Sequence, residues 1–159
     1  MFVDCAQAKD LVDNNTVVVV VDTNKPSYTE CQDLLYLTRT IVVLDHHRRG
    51  SEVIQNAVLS YVEPYASSTC EMVAEILQYF DEDLRLRSLE ADCLYAGMVI
   101  DTNNFTTRSG VRTFEAAAYL RRMAQILQES AKCFGITLMH IKQERKLSAL
   151  PRFTEIVLQ

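Results

Sequence analysis

Asp45-His46-His47 directly follows an apolar run, Ile41-Val42-Val43-Leu44. Adjacent residues leaving a strand point in different directions, so one imidazole can ligate a metal while the other faces a substrate. The ring nitrogen left over usually needs an acceptor, which a neighbouring carboxylate supplies. Carboxylate with imidazole and no thiolate suits Mn²⁺, Mg²⁺ or Zn²⁺. Two solvated histidines in a loop are the plainer alternative. Two further acids stand in similar places: Asp22 ends Thr16 to Val21, and Asp101 ends Gly97-Met98-Val99-Ile100. A strand-end Asp such as Asp22 or Asp45 can also just cap a turn. A carboxylate at the end of a helix, as expected for Asp101, opposes the macrodipole, and a cation would compensate.

The elements that must position these residues are legible in outline. Val17 to Val21 are β-branched without polar alternation, which predicts a strand buried on both faces in a parallel sheet. Ile41 to Leu44 is a second strand of this kind, Val58 to Val62 a shorter third, and Thr29 to Leu37 a short helical candidate. Ser68-Thr69-Cys70-Glu71 has the capping-box form and opens a helix towards Phe80, with Met72, Ile76 and Tyr79 on one face. Further helices are expected from Ser88 towards Ile100 and from Val111 to Met123. The order predicts an α/β fold with an open, mainly parallel sheet flanked by helices. Ligands bind such sheets beyond the carboxyl ends of the strands, where Asp22 and Asp45 fall.

Composition narrows the function classes. The chain has 159 residues, 48% hydrophobic and 23% charged, which suits a domain with a real core rather than a disordered chain. A net charge of −5 argues against a general binder of DNA or anionic membranes. An acidic chain that handles phosphate needs local positive charge or a metal. The five cysteines are widely spaced, odd in number and without a Cys-x-x-Cys pair, which predicts reduced thiols acting as small core fillers in a cytosolic protein. No signal stretch is evident, and the apolar runs fall far short of the roughly 20 residues that span a bilayer.

Several motifs in order carry a family resemblance. They are V-V-V-V-D at Val18 to Asp22, L-D-H-H-R-R at Leu44 to Arg49, Y-V-E-P-Y-A-S-S-T-C-E at Tyr61 to Glu71, V-I-D-T-N-N-F at Val99 to Phe105, and R-T-F-E-A-A-A-Y-L-R-R at Arg112 to Arg122. Together they resemble the DHH phosphoesterase superfamily and, more narrowly, the DHH domain of GdpP-type cyclic-di-AMP phosphodiesterases. The resemblance covers roughly residues 2 to 123. It implies a two-manganese site in which Asp22 bridges the metals and His46 and Asp101 ligate one of them. His47 would face the phosphate and Asp45 would orient its neighbours. A water activated by metal would attack phosphorus, opening a cyclic dinucleotide. Arg48, Arg49 and Arg108 are candidates for phosphate contact or plain solvated surface, and Ser67, Ser68 and Thr69 fit a helix cap better than a substrate site. The resemblance also implies a full-length protein anchored in the membrane with this domain on the cytoplasmic side, and leaves a homodimer open. A nano-RNA or pAp phosphatase, a manganese pyrophosphatase and a non-catalytic fragment are the rival readings.

Two departures from the family pattern stand out. The superfamily's His-x-x-x-Asp-x-Asp motif should precede the Asp22 strand, yet only 21 residues do so, none of them His. Three expected metal ligands and an opening strand are therefore missing, which predicts an exposed edge on the Asp22 strand, weak metal affinity and little activity. The family pattern also stops after Met123. The last 36 residues contain no Asp, Asn or Tyr, although the chain has seven Tyr, and carry 5 basic and 3 acidic side chains. One inserted base after codon 123 can convert a permissible coding of Met123 to Gly135 into M-G-A-D-T-A-R-V-R-K-M-F-R, a family-like continuation. The expected organisation is thus a partial DHH domain over 1–123, a possible out-of-frame tail over 124–159, and no DHH-associated C-terminal domain. A genuine divergent helix beginning at Ala124 is the alternative.

Overall fold

A computed structural model describes residues 3–81, 84, 86–125 and 155–158. Most of the divergent tail, 126–154, lies outside the described residues. The chain divides into two units, residues 1–65 with 153–159, and residues 66–152.

The first unit is built on a sheet. Strand β1 (Val17–Val21) pairs in parallel with β2 (Thr40–Asp45), and β2 pairs in parallel with β3 (Leu59–Val62). The predicted parallel sheet is present, with helix α1 (Cys5–Leu11), a 3-10 turn (Pro26–Tyr28) and helix α2 (Leu34–Leu37) in the same unit. Asp4 caps α1, taking the Gln7 amide at 2.8 Å while Gln7 takes the Asp4 amide at 3.1 Å. Burial along β1 alternates: Val18 and Val20 are sealed, whereas Val17, Val19 and Val21 are half-buried. The expectation of burial on both faces is corrected accordingly. A β-branched run reveals the strand but not how completely each face is covered. Val18, Val20, Ile41 and Val43 pack with Leu35 and Ile54 into the unit's main core.

Two other expectations are revised here. The edge of β1 is not left open, because β4 (Glu155–Leu158) pairs with it antiparallel, Val17 opposite Leu158 and Val20 opposite Glu155. Nor are all the cysteines free core fillers: Cys5 and Cys31 are joined by a disulfide. They lie 26 residues apart and meet because α1 and the start of α2 share a small cluster of Ala8, Cys31 and Leu34. Linear spacing does not announce such a pairing. Cys70 and Cys93 are not disulfide-bonded.

The second unit is helical: α3 (Thr69–Phe80), α4 (Ser88–Asp101) and α5 (Val111–Gln125). Its core holds Ala74, Ala91, Met98, Ala116, Ala117, Tyr119 and Leu120. Ser68 caps α3 by accepting the Glu71 amide at 3.0 Å. Glu71 does not complete a reciprocal box. Its carboxylate is buried and accepts from the Ser67 hydroxyl and, at 2.6 Å, from Thr113 of α5. The predicted face of α3 also changes at its end. Met72 is sealed, but Tyr79 is 90% exposed, so the apolar stripe stops short of it. Arg112 clamps α5 to α3 with a two-pronged contact to Glu75 at 2.8 and 2.7 Å.

Gly97 marks the close approach of α4 to α3. A Cβ there would overlap Cys70 Sγ while lying 3.4 Å from its Cβ. Gly97→Ala should destabilise the second unit by about 1–3 kcal/mol, and adding Cys70→Ala should recover much of the loss; denaturant unfolding of the three variants measures both. At the start of α4, hydrogen bonds from the Arg87 side chain and then its backbone hold the Glu90 carboxyl below its ordinary value of 4.5. A depressed carboxyl stabilises above its unfolded pKa and loses that contribution as pH falls through the folded one. The Tm gap between wild type and Arg87→Ala should therefore be open at neutral pH and close as pH falls below 4.5.

Candidate metal centre

The site begins with strand register. Val21 stands opposite Leu44, so the residues just beyond these two positions, Asp22 and Asp45, emerge side by side. They are then treated differently. Strand β2 runs one residue further, with Asp45 paired to Val62, and Asp45 is fully buried. The chain leaves β1 at once: Asp22 donates its amide to the Leu44 carbonyl at 3.0 Å and adopts a left-handed conformation with φ of 64°. Its side chain is 45% exposed.

The left-handed turn brings Asp22 Oδ1 to 3.5 Å from Nε2 of His46, an imidazole only 7% exposed. His47 is more open, at 59%. Asp22, His46 and His47 each offer one ligand atom, and these atoms all lie within 4.8 Å of one another. Two imidazoles and a carboxylate are a donor set suited to a divalent first-row metal, and the residues fit such an ion. The remaining predicted ligand, Asp101, is the exposed last residue of α4 in the second unit.

Asp45 faces inward. Its Oδ1 accepts from the His47 amide at 3.1 Å and lies 2.7 Å from His47 Nδ1. Its Oδ2 accepts from Asn24 Nδ2 at 2.5 Å. Both carboxylate oxygens of Asp45 are thus engaged by neighbours within the first unit. Asn24 was not singled out from the sequence. The available signal was a polar residue two positions past a strand end whose parallel neighbour also ends in an acid. Asn24 also lines a cavity of about 300 Å³ with Arg49, Val43, Ile54, Ala57 and Ser60.

The predicted arginines are at the surface. Arg49 donates to the Ser60 hydroxyl at 3.1 Å, and Arg48 is exposed next to His47. Arg108, in the second unit, is exposed and left-handed with φ of 55°. It ends a distorted loop in which Asn103, Asn104 and Phe105 are also left-handed. Phe105 is held there between Tyr95, at 5.8 Å, and Phe114, at 5.7 Å between ring centres.

A three-stranded parallel sheet whose tips gather Asp22 and the His pair defines a DHH-type phosphoesterase domain. The chain belongs to the DHH family: the model of the "DHH family, N-terminal domain" matches residues 3–98. It is 52% identical over 115 residues to the cyclic-di-AMP phosphodiesterase GdpP of Geobacillus thermodenitrificans, covering 72% of this chain and 18% of that protein. It is 45% identical over 116 residues to the cyclic-di-AMP phosphodiesterase PdeA of Listeria monocytogenes, covering 73% of this chain and again 18% of the relative. The chain thus spans about 18% of the length of these relatives. Among solved structures, an exopolyphosphatase-related protein from Bacteroides fragilis superposes with a TM-score of 0.58 at 18% identity, over 85% of this chain and 36% of that one. At that identity the likeness concerns the fold.

The left-handed backbone at Asp22 separates its conformational role from its charge. A non-glycine residue there pays roughly 1–2 kcal/mol that glycine avoids. Asp22→Gly should therefore unfold no earlier than Asp22→Ala, although both lack the carboxylate; thermal unfolding of the pair checks this.

Proposed function

We propose that this chain is the central part of a manganese-dependent phosphodiesterase that hydrolyses cyclic-di-AMP to the linear dinucleotide. The observation that carries the reading is the Asp22–His46–His47 group, with ligand atoms within 4.8 Å, in a chain 52% identical to a cyclic-di-AMP phosphodiesterase. Asp22 and His46 would hold the metal, with Asp101 as a further ligand by its place in the family's motif order. When bound, the metal would supply Lewis-acid polarisation of the phosphoryl group and a water of lowered pKa. His47 would face the phosphate, held by Asp45, and Arg48 and Arg108 would offset the negative charge of the substrate. Substrate binding by Arg49 from the wall of the cavity near Asn24 is consistent with this role.

The organisation of the chain is part of the proposal. We read residues 1–123 as the family segment and 124–159 as a tail from another reading frame; the relatives match 115 and 116 of the 159 residues, a length that such a segment can hold. Sequencing the source DNA tests this, since an intact reading frame with no base lost after codon 123 ends the idea. Among the described residues no helix is long and apolar enough to cross a membrane. We place the domain on the cytoplasmic side of a membrane-anchored full-length protein, with a cyclic dinucleotide rather than DNA as its partner.

Manganese titration by calorimetry, with cyclic-di-AMP hydrolysis followed in parallel, tests the function. The expected outcome is weak binding of a single ion, little turnover, and loss of binding in His46→Ala and Asp22→Asn. No manganese uptake by the wild-type chain would overturn the metal reading. Tight uptake of two ions with rapid turnover would overturn the view that the site is incomplete.

A further inference from the structure

We propose that Asn24 is a positioning residue that sets the tautomer of His47 by acting through Asp45. Asn24 is 3% exposed, and the Ile54 amide anchors its carbonyl at 2.9 Å. Its side-chain Nδ2 donates to Asp45 Oδ2 at 2.5 Å and reaches the His47 carbonyl at 3.4 Å. Both partners are acceptors, so the amide can be oriented only one way, with Oδ1 turned from the carboxylate. That Oδ1 is buried without a hydrogen-bond partner among the described residues. An unmade buried acceptor is destabilising, because its bond to water is lost and not replaced. A side chain kept only to fill space would avoid this cost, since leucine has the same branched arrangement of heavy atoms without polar groups. What position 24 contributes is therefore the donor.

The donor constrains a carboxylate with no solvent to hold it. Asp45 is fully buried, and Oδ2 on Asn24 leaves Oδ1 directed at the His47 amide and Nδ1. An ionised carboxylate only accepts, so His47 must carry its proton on Nδ1. Free neutral histidine favours the other tautomer. The enforced form leaves the lone pair on Nε2, the nitrogen turned from Asp45 and available to a metal or a substrate proton. Without Asn24, Asp45 can swivel and the imidazole is released to choose its tautomer. A role for that Nε2 towards phosphate rests on the proposed function; the tautomer does not.

The test is a long-range ¹H–¹⁵N correlation spectrum of the ¹⁵N-labelled full chain, at a pH where the imidazole is neutral. Wild-type His47 should show the Nδ1–H pattern. Asn24→Leu should shift it to the Nε2–H or averaged pattern, with Tm lowered because the buried Asp45 Oδ2 loses its donor. Asn24→Ala gives the same spectral readout if the leucine variant does not fold. A persistent Nδ1–H pattern in both variants would overturn the proposal. If the wild-type chain takes up no manganese, the metal reading fails, while the spectra still decide what Asn24 does.

Discussion

The parallel register of β1 and β2 is the constraint on which the first unit's chemistry depends. Five consecutive pairs, from Val17 with Thr40 to Val21 with Leu44, bring two chain exits together from segments 23 residues apart. Such pairing cannot slip by one residue without turning Val18, Val20, Ile41 and Val43 out of the core they share. The valine packing therefore also sets the separation of two carboxylates. The difference between them comes from where each strand stops. One more residue of ladder pulls Asp45 inside, and an abrupt left-handed exit throws Asp22 outward. Two chemically identical side chains thus acquire opposite environments.

Much of this was legible in the sequence because valine runs and strand-end acids are local signals. The three parallel strands and the main helices fall close to their expected spans. The Asp22 and His46–His47 neighbourhood followed from the rule that ligands gather at strand tips. What escaped depends on contacts between distant residues. Asn24 matters because of a carboxylate 21 residues away, and no feature of Thr23-Asn24-Lys25 alone declares it. Cys5 and Cys31 are of the same kind. So is the destination of Glu71, whose local context reads as a cap while its carboxylate is claimed by a threonine on another helix.

The segment Arg112 to Arg122, one of the motifs that carries the family resemblance, has a different use from the His pair. Arg112 straps α5 to α3, Thr113 reaches Glu71, and Ala116, Ala117, Tyr119 and Leu120 form the core of the helical unit. Arg121 lies over the Tyr95 ring, 5.7 Å from its centre. Family motifs therefore mix two kinds of information. Some residues are constrained by chemistry at a strand tip, and others by the volume and hydrogen bonding of a helix packing.

The antiparallel strand β4 has a meaning beyond closing an edge. A ladder is read by peptide groups, which every residue except proline carries in the same form. Recruitment to the outer side of β1 thus asks little of a segment's ancestry: extended backbone suffices where side-chain packing would demand a co-evolved partner. Glu155–Leu158 satisfies that undemanding requirement whatever its origin. The outer edge of β1 is thus satisfied through main-chain pairing alone, which places no chemical demand on the side chains of the strand that lies there.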